Sequence, residues 1–421
     1  MNVLILSQYY WPEPLPKAQE LAEGLRARGH RVSVLTGFPN YPTGRLYDGY
    51  AIRPWTRTRT EQGIDVWRVA LFPDHSKSAF RRVLNYGSFA VAASLVGSSL
   101  MPRPDVIFAC HPPLTIGPAA DVIARLKRVP FVYAVADLWP AVLVASGLVS
   151  SPRIIAALER LEHFVYRRAS AIAVVTPPMI DYLVGRGVPR HKLRIVPDWV
   201  DERVYHPVPP DPTLASALGL AGRFNVVFAG QLGIVQRLGT VIAAAELLKD
   251  DGTIQFVIVG DGVERAGLEK EVSRRALHNV RFLGRLPPSD MPGIYALADV
   301  LLVHLGADAI LRLSIPGKVY AYLASGKPIL AAANGATAEL ITSCGAGLVC
   351  APERPETLAE AVRAFARLPR ETREEMGRQG RETFLSQYSR EVVLDHCEQL
   401  LLDVAQDAPS VKAIREGRAS R

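Results

Sequence analysis

Cys110-His111-Pro112-Pro113 follows the apolar run VIFAC, Asp137-Leu138-Trp139-Pro140 ends the run FVYAVAD, and Gly317-Lys318 leads into VYAYLASGKP. A histidine or carboxylate at the carboxyl end of a parallel strand can face a cleft and act as base, acid or hydroxyl-positioning group, which makes His111 and Asp137 catalytic candidates. Each has a plainer alternative, a packing histidine for His111 and a helix N-cap for Asp137. Gly317 and Lys318 stand at the start of a predicted helix, where backbone amides and one ammonium can hold a diphosphate. A lysine there is electrostatically awkward without an anion, because a helix N-terminus is itself positive.

A second phosphate candidate is Gly230-Gln231-Leu232-Gly233-Ile234-Val235-Gln236-Arg237, between the run NVVFAG and a helix predicted to begin at about Leu238. Its glycines let backbone amides approach a phosphate, or serve only the turn. Gly260-Asp261-Gly262 fails the dinucleotide pattern GxGxxG because position 265 is Arg265, and GxxxxGK[ST] is absent. Near the N-terminus, Tyr10, Trp11 and Glu13 follow the first apolar run and suit a sugar ring as well as plain packing. Gly29-His30 reads as a helix C-cap turn on the opposite edge. Cys110, Cys344, Cys350 and Cys397 form no CxxC pair and no Cys/His cluster, so no zinc site or disulfide framework is expected, and a reducing cytosol fits.

Positioning such residues requires strands that end at them. Short β-branched runs alternate with amphipathic stretches throughout: VLILS, VSVLT, VWRVA, VIFAC, FVYAVAD and AIAVVT, then NVVFAG, IQFVIVG, VRFLG, VLLVHL, PILAA and GLVC. That alternation predicts an α/β chain with two doubly wound parallel sheets and crossover helices. The prolines of HPVPPDP, residues 206–212, interrupt both patterns and mark the linker. The expected division is residues 1–203, residues 204–388, and a C-terminal helix with a basic tail over 389–421. Two open parallel sheets joined by a linker create a cleft at their strand ends.

The formal charge is +8, and its excess lies in the first half: residues 1–205 hold 25 Lys+Arg against 16 Asp+Glu. An anionic partner of that half is expected, phosphate or a lipid surface; no nucleic-acid partner is expected. Residues 83–102 carry no charge and are flanked by Arg81, Arg82 and Arg103. Asn85, four serines and two glycines make the stretch too polar for a transmembrane span, but a helix lying on a bilayer, or one buried against the sheet, fits. The chain runs from Met1-Asn2 straight into VLILS with no basic n-region, so no secretory signal is expected.

YYWPEP, GHRVSVLTGFPNYPTGRLYDGY, DLWP, FAGQLGIVQ, VIVGDGVE, VRFLGRLP and SIPGKVYAYLASGKPIL together resemble the retaining glycosyltransferases of family 4, with the GT-B fold of two Rossmann-like domains facing a central cleft. Within that family they are similar to the fucosamine and colanic-acid branch that builds bacterial O-antigen, capsule and exopolysaccharide. The resemblance implies a nucleotide-sugar donor on the second domain, a UDP-sugar being favoured. It also implies a polyprenyl-diphosphate-linked acceptor on the first domain, transfer with retention, no metal or other cofactor, and a place on the inner face of the cytoplasmic membrane. It places Gly233, Gln236, Arg237, Gly317 and Lys318 at the donor diphosphate, Arg285 beside the base and Glu339 near the donor, with Asp137 and His111 positioning hydroxyls. The family's Glu-x7-Glu is missing: counting back from Gly326 gives Ala321 and Leu313, which leaves the ribose and the transferring sugar without their usual acids, and Asp308 is the candidate substitute. A nucleotide-sugar epimerase of the same fold and a non-catalytic nucleotide or lipid binder are the alternatives.

Overall fold

The computed structural model describes residues 1–75 and 78–407; the expected basic tail falls outside these residues. One sheet contains β1 (Asn2–Leu6), β2 (Arg31–Gly37), β3 (Trp55–Arg59), β4 (Asp65–Val69), β5 (Val106–His111), β6 (Phe131–Val135), β7 (Ala171–Val174) and β8 (Leu193–Ile195). Their spatial order is β3-β4-β2-β1-β5-β6-β7-β8. The central strands read as continuous apolar runs because helices cover both faces of a parallel sheet. No apolar run announces β3, whose WTRTR is exposed along most of its length; it is held by antiparallel pairing to β4. The apolar run at 131–137 overstates β6, which ends at Val135 and leaves Asp137 in the following bend.

The other sheet contains β9 (Phe224–Ala229), β10 (Ile254–Val259), β11 (Val280–Gly284), β12 (Val300–His304), β13 (Ile329–Ala332) and β14 (Gly347–Cys350). Its order, β11-β10-β9-β12-β13-β14, reverses direction at β9, so the loops after β9 and β12 flank the crevice where such sheets take ligands. In the first sheet the reversal lies between β1 and β5, which places the Tyr10–Glu13 loop and His111 at the corresponding point.

The chain forms two compact units, one of residues 1–140, 150–196 and from Leu394 onward, the other of residues 141–149 and 197–393. The expected boundaries after 203 and 388 therefore move. Val196 still donates its amide to Val174 of the first sheet, whereas Val200 bridges Ser389 in the second unit. Residues 141–149, expected in the first domain, cluster with the second.

Helix Arg390–Gln406 carries the chain back into the first unit, where Leu394 packs so closely that a Cβ on Gly24 would come within 2.4 Å of it. Arg28 reaches Asp395 at 2.7 Å, and His30 Nε2 lies 2.6 Å from Glu398, so His30 is a buried partner of this helix while Gly29, at φ +88°, makes the turn. Partly exposed ion pairs contribute little. Burial of Leu394, Leu400 and Leu401, at roughly 1.5–3 kcal/mol each, contributes more.

Helix Ala79–Ser99 occupies most of the uncharged stretch. Phe89, Ala93 and Val96 are buried, and Gly97 lets the helix approach Ile123 so closely that a Cβ would lie 2.5 Å from it. Asn85 is fully buried and bonds Gln8 at 2.6 Å and the Phe72 carbonyl at 2.7 Å, which fixes the helix to the loop after β1. The opposite face leaves Phe80, Val83, Leu84, Val91 and Leu95 exposed. Among the described residues no helix is long and apolar enough to cross a membrane.

Candidate active site

In the second unit, the loop after β9 begins at Gly230, whose φ of +142° and missing side chain admit Lys318: a Cβ there would lie 2.8 Å from Nζ. Lys318 is the second residue of helix Gly317–Ala324, and its Nζ sits 3.5 Å from the centroid of the Phe228 ring. The residue as a whole is half-buried, but the ammonium is enclosed and has no hydrogen-bond partner. Burial lowers it to about 7. An enclosed, underbonded cation beside a glycine loop and a helix N-terminus is what an anionic ligand would complete.

Gln236 turns its side chain back so that Oε1 accepts the Gly233 amide at 3.2 Å. That amide is therefore occupied by Gln236, and a phosphate would take it only by displacing the carboxamide. Gly260 and Gly262 have a packing role: Cβ atoms there would fall 1.8 Å from the Gly230 carbonyl oxygen and 2.3 Å from that of Leu232. The loops after β9 and β10 are pressed together, which accounts for Gly-Asp-Gly without a dinucleotide.

His304, at the end of β12, was not singled out by the sequence. Its Nδ1 lies 2.7 Å from the Gln236 carbonyl, which can only accept, so Nδ1 carries the proton and Nε2 is a bare acceptor. Nε2 is buried without a partner, and burial lowers the imidazole's pKa. Arg237 meets Asp308 at 3.7 Å and Glu353 at 3.5 Å. Asp198 is another residue missed in the linker region: its Oδ2 would lie 3.6 Å from a Cβ on Gly317. Arg285 and Glu339 are exposed after β11 and in the first turn of helix Ala336–Ser343. Ala321 is buried in its helix, and Leu313 ends the 3-10 turn Ala309–Leu313. Neither offers an acidic group.

In the first unit, Glu13 is a structural clamp. Oε1 accepts the Asn40 and Tyr41 amides at 2.8 Å each, and Oε2 accepts that of Tyr10 at 3.1 Å. Burial raises its pKa while these amides pull it back. Its expected contact with an acceptor is replaced by this internal one, because the three amides of two loops would otherwise be buried unpaired. Tyr10 is buried and Trp11 is 57% exposed. Both line a cavity of 710 Å³ with Gln19, Tyr50, Thr56 and Thr58.

His111 is buried, packs edge-on against Trp139 at 5.4 Å, and is pushed by burial down to about 3. An imidazole held neutral by burial is a weak proton acceptor, which favours hydrogen bonding over general-base work. Its Nδ1 is buried without a partner. Asp137 is exposed two residues beyond β6, with the Trp139 amide bonded to its carbonyl at 3.1 Å; the next helix begins only at Ala141.

Two doubly wound sheets with side chains gathered at their switch points make up the GT-B architecture. Sequence models of a glycosyl transferase 4-like domain and of glycosyl transferases group 1 match residues 16–199 and 216–383. The chain belongs to the family 4 glycosyltransferases. It is 28% identical over 393 residues to the putative colanic acid biosynthesis glycosyl transferase WcaI of Escherichia coli K12, covering 88% of this chain and 93% of that protein. Its fold is similar to that of HepE from Anabaena, solved with UDP and glucose, at a TM-score of 0.68 and 16% identity over 95% of this chain and 98% of that one. It is also similar to sucrose-phosphate synthase from Thermosynechococcus elongatus, at a TM-score of 0.73 and 17% identity over 96% and 98%.

Proposed function

We propose that this glycosyltransferase moves a sugar from a nucleoside-diphosphate donor, a UDP-sugar, to a polyprenyl-diphosphate-linked saccharide during assembly of a surface polysaccharide. The enclosed Lys318 ammonium beneath Gly230 carries the donor reading. The kinship with WcaI supports the pathway class, and the UDP in the HepE structure supports the nucleotide.

Transfer with retention needs little covalent help from the protein. The acceptor hydroxyl oxygen attacks the anomeric carbon on the face that the diphosphate leaves, the carbon–oxygen bond to the β-phosphate breaks, and the hydroxyl proton passes to the departing phosphate oxygen. Negative charge grows on the leaving group, and Lys318, Arg237 and the amides at Gly317 stabilise it. These cations supply the charge that a metal would otherwise bring, so turnover in EDTA is expected. Arg285 would lie beside the base and Glu339 near the donor. Asp137 and His111 would position hydroxyls, His111 as a neutral group. Trp11 and Tyr10, which line one cavity, would hold the acceptor saccharide.

The exposed apolar face of helix Ala79–Ser99 supports peripheral attachment to the inner face of the cytoplasmic membrane. Phe80 is 71% exposed and Leu95 64%, and Arg81, Arg82 and Arg103 at the helix ends suit anionic lipid.

The test is sugar turnover by the purified chain in EDTA with UDP-, GDP- and dTDP-sugars, with and without the lipid-linked acceptor. Transfer only when acceptor is present is the expected result. Conversion of the donor alone would replace transfer by epimerisation, and nucleotide binding without turnover would make the chain a binder.

A further inference from the structure

The loops after β9, β12 and β14 converge on Gly306. A Cβ placed there would lie 3.0 Å from Asp308 Oδ2, 3.1 Å from Glu353 Oε1 and 3.3 Å from Arg237 Cγ. The Gly306 amide donates to the Val235 carbonyl at 2.8 Å, and the Ala307 amide donates to Glu353 Oε1 at 2.9 Å. That same carboxylate oxygen is 3.5 Å from Arg237 Nε, and Asp308 Oδ2 is 3.7 Å from Arg237 Nη2. Both pairs are longer than hydrogen bonds. Arg237 Nε is enclosed and has no hydrogen-bond partner. The guanidinium is thus held electrostatically without being satisfied.

Arg237 and Glu353 also share an unusual backbone, with φ of +46° and +55°. Glycine adopts this region freely and residues with a Cβ do so at a cost. Two such residues facing each other from separate loops retain their side chains against that cost, a pattern that marks functional sites. Next to them His304 keeps a buried, unpartnered Nε2, and the Glu353 and Lys318 charges both act on its ring. Two unsatisfied donors, Lys318 Nζ in the first turn of helix Gly317–Ala324 and Arg237 Nε in the loop after β9, therefore occur at this switch point.

We propose that Glu353 is a further positioning residue of the donor site: it fixes Arg237 and the Gly306–Ala307 backbone so that the guanidinium's free donors meet an anionic diphosphate. Glu353 accepts from Ala307 throughout and keeps Arg237 in place as its free donors engage the ligand. The inference rests on the nucleoside-diphosphate reading above.

Calorimetric titration of UDP and GDP into the full chain, with Tm measured for each variant, tests it. Glu353→Gly relaxes the left-handed backbone and is expected to hold Tm within about 2 °C, yet to weaken nucleotide binding about tenfold. Glu353→Gln can still accept from Ala307 but lacks the charge, and should weaken binding about threefold. Arg237→Gln should add less than about twofold on the Glu353→Gly background, because Glu353 acts through Arg237. Unchanged affinity in Glu353→Gly, or affinity lost only in step with Tm, overturns the proposal. A parent chain that binds neither UDP nor GDP overturns the donor reading as well, and that outcome is distinct because it appears before any substitution.

Discussion

Near the switch points of their sheets the two units treat cations and carboxylates differently. In the second unit the cationic donors Lys318 Nζ and Arg237 Nε are enclosed without hydrogen-bond partners, whereas the unpartnered ring nitrogens, His304 Nε2 there and His111 Nδ1 in the first unit, are uncharged. In the first unit the Glu13 carboxylate is filled by three backbone amides, and the buried Arg68 directs its guanidinium to the Gly37 and Trp11 carbonyls at 3.2 and 2.5 Å. Unsatisfied buried donors are costly in a folded chain, and two cations left so at one switch point call for an anion to complete them. A site for an anion is built from charge that the chain leaves unsatisfied. The first unit's loops instead use charge internally, to hold aromatic and neutral groups in shape.

The largest effect that would break this contrast is at Lys318. Lys318→Ala should lower turnover about 100-fold, measured as initial rate at saturating acceptor, while Lys318→Met should raise Tm by about 5 °C at pH 6.5 by removing a buried cation. The sign follows from burial lowering the folded lysine from 10.5 to about 7: the folding cost is full below 7 and vanishes above 10.5. A Lys318→Met chain less stable than the parent would show that the ammonium is already satisfied.

Glu13 should show the reverse pattern. Glu13→Ala is expected to cost on the order of 3 kcal/mol in urea unfolding, since it strands buried amides. Glu13→Gln should destabilise less and leave acceptor KM within about twofold at temperatures where the chain is folded. A raised acceptor KM without lost stability would return Glu13 to the acceptor.

The pH dependence separates the halves further. A bound diphosphate favours charged lysine and raises its pKa, so UDP affinity should be full below pH 7 and fall about tenfold between pH 7 and 8.5. Lys318→Met should flatten that slope. His111→Gln should leave the pH profile of turnover unchanged, because the imidazole titrates near 3, outside the assay range.

The smallest expected change in the chemistry comes from helix Ala79–Ser99. Replacing Val91 and Leu95 by Glu should lower sedimentation with phosphatidylglycerol vesicles about tenfold, with turnover of a short-chain soluble acceptor unchanged. Equal sedimentation would remove the helix from the membrane reading.

Much of the fold was legible because parallel strands buried on both faces must be continuous apolar runs, and the six runs of the second half each contain a strand. Trp55–Arg59 was not, since an exposed edge strand is specified by its partner and carries no apolar face of its own. Gly230 and Lys318 were legible separately, from a turn and a helix start. Their contact was not, because 87 positions of chain lie between them. Glu353 carried no signal, since it lies in an ordinary loop, whereas His304 carried the same strand-end signal as His111 and was passed over because it is embedded in the apolar run VLLVHL.

The sequence by itself determined two doubly wound sheets, their loop ends and a family, because periodicity and glycine placement are local properties. Only the tertiary structure decided which charged groups are satisfied and which are left open. That depends on desolvation and on hydrogen bonds between loops far apart in the chain, as Glu13 with Tyr41 and Lys318 under Gly230 show.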